Sequence, residues 1–87
     1  MATSINKTES ALVKTGFGKI RGIFVASVSG SPTIKLWDSL TAANEIIINT
    51  FIPVAGTMYY FGSDGIDFAT GLYLTIGGTV DCTLLID

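Results

Sequence analysis

Residues 71–86 read Gly-Leu-Tyr-Leu-Thr-Ile-Gly-Gly-Thr-Val-Asp-Cys-Thr-Leu-Leu-Ile. Leu72, Leu74 and Ile76 alternate with Tyr73 and Thr75, and beyond the Gly77-Gly78 pair Val80, Cys82, Leu84 and Ile86 alternate with Asp81, Thr83 and Leu85. A period of two belongs to an extended strand that turns one face to a core, and it speaks against a helix. Two glycines between two such runs predict a turn, so the stretch is expected as a closing hairpin of 71–77 with 79–87.

The same grammar runs backward through the chain. Gly18 to Val28 places Ile20, Phe24, Ala26 and Val28 on one face and Lys19, Arg21, Ile23, Val25 and Ser27 on the other; apolar residues on both faces mark a central strand. Gly30-Ser31-Pro32 predicts a turn, because proline fixes φ and glycine accepts a positive one, and Thr33–Asp38 follows as a further strand. Ser39 to Asn44 is expected as a loop or a single helical turn capped by Asp38 or Ser39. Glu45–Ile52 predicts a strand that Pro53 ends. Met58 and Tyr60 alternate with Tyr59 and Phe61 ahead of a turn at Gly62–Gly65. Short apolar runs broken by turn residues at intervals of roughly ten predict an all-β chain, a small antiparallel β-sandwich or jelly roll.

Residues 18–87 are expected to form that single β domain, and residues 1–17 a flexible N-terminal arm, since Ala2–Ser10 is rich in Thr, Ser and Asn. Eighty-seven residues allow one core and no second. With Met1–Ser10 polar and no apolar run behind a basic start, the expectation is synthesis in a cytoplasm without a signal peptide. Ile46–Ser63 lacks charge but carries Asn49, Thr50, Pro53 and Gly56, which fit two strands and a turn rather than a membrane span. Asn6-Lys7-Thr8 matches a glycosylation triplet that has no meaning without secretion.

Little of the chemistry of catalysis is present. The chain has no histidine and one cysteine, which removes the commonest general base, most zinc-site patterns and an intrachain disulfide. Gly16-Phe-Gly18-Lys-Ile-Arg-Gly22 is spaced differently from a dinucleotide fingerprint, and no helix follows to offer its amides to a pyrophosphate. Cys82 lacks a base and reads as a buried thiol. Asp64 and Asp67 offer too few oxygens for a calcium loop and read as solvated turn acids, as Asp38 and Asp81 read as strand-end acids. Five basic residues against seven acidic ones, with no basic run, speak against direct nucleic-acid binding. No enzyme activity, cofactor or metal is expected, and no membrane partner.

What the composition does favour is assembly. Hydrophobic residues make up 48% of the chain and charged residues 14%, while a domain this small must cover a large share of its surface with polar groups. A lone copy would expose apolar patches larger than monomers usually show. The candidate interface comprises Trp37, Tyr59, Phe61 and Tyr73, with a sugar-binding platform as the rival use of the same rings.

Gly18-Lys-Ile-Arg-Gly-Ile-Phe-Val25, Ile34-Lys-Leu-Trp-Asp-Ser39 and the closing GLYLTIGGTVDCTLLI together resemble small β-rich virion proteins of tailed bacteriophages, the last being similar to that family's final strand pair. The resemblance spans about residues 18–87. It implies a non-enzymatic capsid decoration or minor capsid subunit, oligomeric and commonly trimeric, bound to a major capsid protein in the virion. The chain departs in showing no capsid-anchoring motif. On this expectation residues 2–17 reach to the shell, so that deleting 2–10 leaves a folded protein that no longer binds. The alternatives are a carbohydrate- or receptor-binding module of a fibre and a tail or head–tail connector component.

Overall fold

A computed structural model describes residues 3–43, 45–62 and 64–87. Their strands are β1 (Thr3–Lys7), β2 (Ala11–Thr15), β3 (Gly18–Asp38), β4 (Glu45–Phe51), β5 (Thr57–Tyr60), β6 (Ile66–Phe68) and β7 (Gly71–Ile86). All pairs are antiparallel and belong to one sheet, so the all-β antiparallel expectation holds. Its axis is the ladder between β3 and β7, which runs from Ile20 opposite Ile86 to Trp37 opposite Tyr73. β1 and β2 flank β7 on its other side, and β4, β5 and β6 flank β3. The described residues contain no helix, hence none long and apolar enough to cross a bilayer.

Strand length dictates the shape. β3 has 21 residues, and at about 3.3 Å per residue it would extend roughly 70 Å if straight. The molecule measures only 32 × 26 × 18 Å, so both long strands must bend. They bend together. Gly30 (φ +64°) and Ser31 (φ +57°) in β3 stand near Gly78 (φ +68°) in β7, and the ladder skips from Ser29–Thr79 to Thr33–Gly77. These left-handed residues fold the sheet onto itself in two layers, a sandwich made from one sheet. The first layer holds β1, residues 79–86 of β7, residues 18–29 of β3, β5 and β6. The second holds β2, residues 71–77 of β7, residues 33–38 of β3, and β4.

Between the layers lies one apolar core. Ile20, Ile23, Val25, Val80, Cys82, Leu84 and Ile86 come from the first layer, and Ile34, Leu36, Leu72 and Leu74 from the second. At the open end opposite the corner, Lys14 Nζ donates to the Asp87 carbonyl at 2.9 Å and ties β2 to the end of β7. At the side, Phe51 of β4 meets Tyr59 of β5 edge to face at 5.1 Å between ring centres.

Three expectations are corrected. Gly77-Gly78 does not reverse the chain: 71–86 is one strand, and the two glycines serve the corner rather than a hairpin. Gly30-Ser31-Pro32 is likewise a bend inside β3. Glycine supplies the same φ to a hairpin and to a corner, and only the partner strand distinguishes them. Second, the faces of 18–28 differ from strict alternation. The register shifts between Ile20 and Gly22 and again between Val25 and Ser27. One extra residue flips every later side chain, so Ile23 and Val25 join Ile20 inside while Phe24 turns outward.

Third, the flexible arm expected over residues 1–17 is spent in the sheet across most of its described part. Thr3–Lys7 pairs with Cys82–Ile86, and Ala11–Thr15 pairs with Gly71–Leu74. Polar composition there reflects strands that are each covered on one side only, with Ile5 and Val13 turned to the core. Residues 1–2 lie outside the described residues. So do Asn44, at the end of the expected 39–44 loop, and Ser63 in the expected 62–65 turn. Of the loop, Ser39–Ala43 is irregular with Thr41 N–H donating to Ser39 Oγ at 3.2 Å. In the turn, Gly65 N–H donates to Gly62 O at 3.2 Å.

Candidate interaction faces

Because each layer gives one face to the core, each leaves one face outside. On the second layer the inward set Ile34, Leu36, Leu72 and Leu74 leaves Lys35, Trp37, Tyr73 and Thr75 outward. Register then builds a row across all four strands. Leu12 of β2 is opposite Tyr73 of β7, Tyr73 is opposite Trp37 of β3, and Trp37 is opposite Ile46 of β4. Leu12 is 39% exposed and Ile46 45%, so the row is open to solvent at both ends. Trp37 is held in place: its Nε1–H donates to Thr75 Oγ1 at 3.0 Å, and Lys35 Nζ lies 4.2 Å from its ring centre. A cation over an indole at that range is attracted by the ring's negative face. Among the described residues, Lys35 is the charged side chain that the pairing puts on this face.

The first layer has its own outer cluster. Phe24 of β3 is opposite Met58 of β5, and Gly22 is opposite Tyr60 of β5 and Leu85 of β7. Phe24 and Met58 are about as exposed as the second-layer row, and Tyr60 is 64% exposed. Gly22 lets this happen, since a side chain there would run into the Met58 methyl and the Tyr59 carbonyl, each 2.9 Å from its Cβ position. The charges on this side are largely paired with each other. Arg21 donates through Nε to Asp87 Oδ2 at 2.7 Å, and Lys19 Nζ lies 3.5 Å from Asp67. The hydrogen bond from Arg21 is the main reason that the Asp87 carboxyl sits below its ordinary range. Asp81, by contrast, accepts from the neutral amide of Asn6, through Nδ2 at 2.7 Å, and among the described residues no ion pair is formed with it.

The four rings expected at one interface therefore divide. Trp37 and Tyr73 stand side by side outside. Tyr59, opposite buried Ile23, turns to the core, and its hydroxyl accepts from Val54 N–H at 2.9 Å. Phe61 also packs against the core. Sequence reasoning missed Leu12 and Ile46, and with them Phe24, Met58 and Tyr60. Leu12 could be found only by knowing that 11–15 is a strand, and Ile46 is hidden by register shifts on β4 that break its alternation.

The remaining features belong to the architecture. A cleft of about 670 Å³ opens beside Phe17, Phe68, Lys14, Lys19 and Asp67, but its charged groups are already engaged, Lys14 with Asp87 O and Lys19 with Asp67. Asp38 accepts from the backbone N–H groups of Ala69, Thr70 and Gly71. Burial pushes that carboxyl up, and the three amides together outweigh it and leave it lowered. Cys82 is buried, and desolvation, with Asp81 nearby, pushes its thiol up to about 11, away from a reactive thiolate. Among the described residues no three His, Cys, Asp or Glu side chains gather as a metal site requires. Comparison with known proteins returns no matching family model, no matching curated protein and no matching solved structure.

Proposed function

We propose that the protein is a non-enzymatic structural subunit that works by assembling with copies of itself. The observation that carries this is the row Leu12–Tyr73–Trp37–Ile46, an apolar line across the full width of the second layer with its tryptophan fixed by Thr75 and Lys35. Anchored aromatic side chains cost little entropy to dock and are enriched among residues that dominate interfaces. The narrower form, a capsid decoration or minor capsid subunit on a phage shell, rests on the resemblance of residues 18–87 to small virion proteins. Attachment then goes through the strand faces, because residues 3–7 and 11–15 are already paired with β7.

Light scattering on the purified chain tests the general form, and co-sedimentation with assembled phage shells tests the narrower one. A discrete oligomer that replacing Trp37 and Tyr73 by serine returns to single-chain mass is the expected result. A single-chain mass at every concentration overturns the proposal. Binding of shells without self-association would keep the virion role and discard the oligomer. A shift in Trp37 fluorescence on sugar titration would favour the receptor-binding alternative.

A further inference from the structure

We infer that the two outer faces are the two halves of a single head-to-tail interface, so that the first layer of one copy stacks on the second layer of the next. This rests on the assembly reading above and adds its partner and its symmetry. Each face carries its own apolar cluster: Phe24, Met58 and Tyr60 on the first layer; Leu12, Tyr73, Trp37 and Ile46 on the second. A two-fold pairing would use one of them and leave the other in water. Stacking first on second covers both.

Charge decides between the arrangements. The second-layer face bears Lys35, while on the first-layer side the ion pairs Arg21–Asp87 and Lys19–Asp67 offset one another and Asp81, with Asp64 close enough to act on Arg21, leaves that side net acidic. Pairing second layers puts two copies of Lys35 into one interface, and pairing first layers puts two copies of Asp81 there. Like charges in a drying interface cost free energy, whereas Lys35 facing the Asp81 side is attractive. Size agrees. A face of a body measuring 32 × 26 Å in its broad dimensions offers roughly 800 Å², about what each partner of a stable complex buries. A head-to-tail contact repeats: it closes into a ring when the rotation between copies permits and otherwise continues as a filament.

Two blocked variants provide the test. Met58→Lys with Tyr60→Lys disables the first-layer face, and Leu12→Lys with Ile46→Lys disables the second, each placing charge in its apolar cluster, and the two blocked faces repel each other when they meet. Each variant alone is expected at single-chain mass, and an equimolar mixture at twice that mass with nothing larger, because one good contact remains per pair. A dimer formed by either variant alone means a two-fold interface, which overturns the stacking and leaves the assembly proposal standing. Wild-type protein that never exceeds single-chain mass overturns both. Lys35→Glu and Asp81→Lys supply a second measurement with little demand on folding. Each should weaken wild-type association several-fold, and the double variant should recover most of the loss; no recovery counts against the stacking.

Discussion

Asp38 ends β3 and gathers three backbone N–H groups from residues 69–71, fixing the point where β7 begins. Asp38→Ala leaves those donors without their acceptor and should cost on the order of 1–3 kcal/mol in urea unfolding. Asp38→Asn keeps one accepting oxygen and should cost less. The acid limb of stability follows from the same carboxylate and from Asp87, both held below their ordinary range in the fold. A depressed folded pKa contributes stability that is fully present above the unfolded value, about 3.9, and is lost as pH falls through the folded one. Unfolding midpoints should therefore be flat from neutral pH down to about 4–5 and fall below that. A midpoint that stays flat or rises below pH 4 would contradict the assignment. Cys82, buried and with its thiol at about 11, should react with a thiol reagent only in step with unfolding. Rapid labelling of the native protein would show that β1 opens on its own, since Lys7 is the residue paired over Cys82.

The corner of β3 and β7 gives the sharpest contrast between neighbouring substitutions. Gly30 and Gly78 both have positive φ, but a Cβ at Gly30 meets nothing, while one at Gly78 runs into the carbonyls of Gly30, Ser31 and Ser29. Gly30→Ala should cost only the left-handed penalty, about 1–2 kcal/mol. Gly78→Ala adds a collision with backbone that cannot swing aside and should cost roughly twice that or more. Equal losses in urea unfolding would mean that the corner relaxes. Removing residues 2–10 strips β1 from Cys82–Ile86, and the expected result is marked destabilisation rather than a folded protein lacking an arm. Where the sequence was legible, it was through alternation: Val80, Cys82, Leu84 and Ile86 are buried as their spacing predicts. What it concealed was partner choice. A glycine pair cannot say whether the strand turns back or bends in company with another, and the extra residues near Arg21 and Ala26 leave no mark in composition. The outer faces were half legible for the same reason. Trp37 and Tyr73 obey a simple period, but their neighbours Leu12 and Ile46 are set by pairing between distant segments.

Taken whole, the molecule is a thin slab with apolar clusters on both broad sides, and its stability should depend on how many copies are present. Anything that binds only the native state stabilises it by mass action, and a second copy is such a ligand. The melting midpoint should rise by about a few degrees across a hundredfold increase in protein concentration. A midpoint independent of concentration would argue for a self-sufficient monomer. Lys35→Glu with Asp81→Lys should preserve that dependence, and either change alone should move it to several-fold higher protein concentration. The long ladder has one more consequence, for the time before any slab exists. β7 is the partner of β1, of β2 and of the full length of β3, and it follows all of them in the chain. Until those sixteen residues leave the ribosome, β1 and β2 have no partner and β3 is paired along one side only, with β4, β5 and β6, so the nascent chain carries a sticky edge. Closing the sheet waits for β7 and is slow, as the formation of ladders between distant segments is. A ribosome that stalls before residue 71 leaves half a sheet with an open edge along β3, a target for the cell's chaperones and proteases.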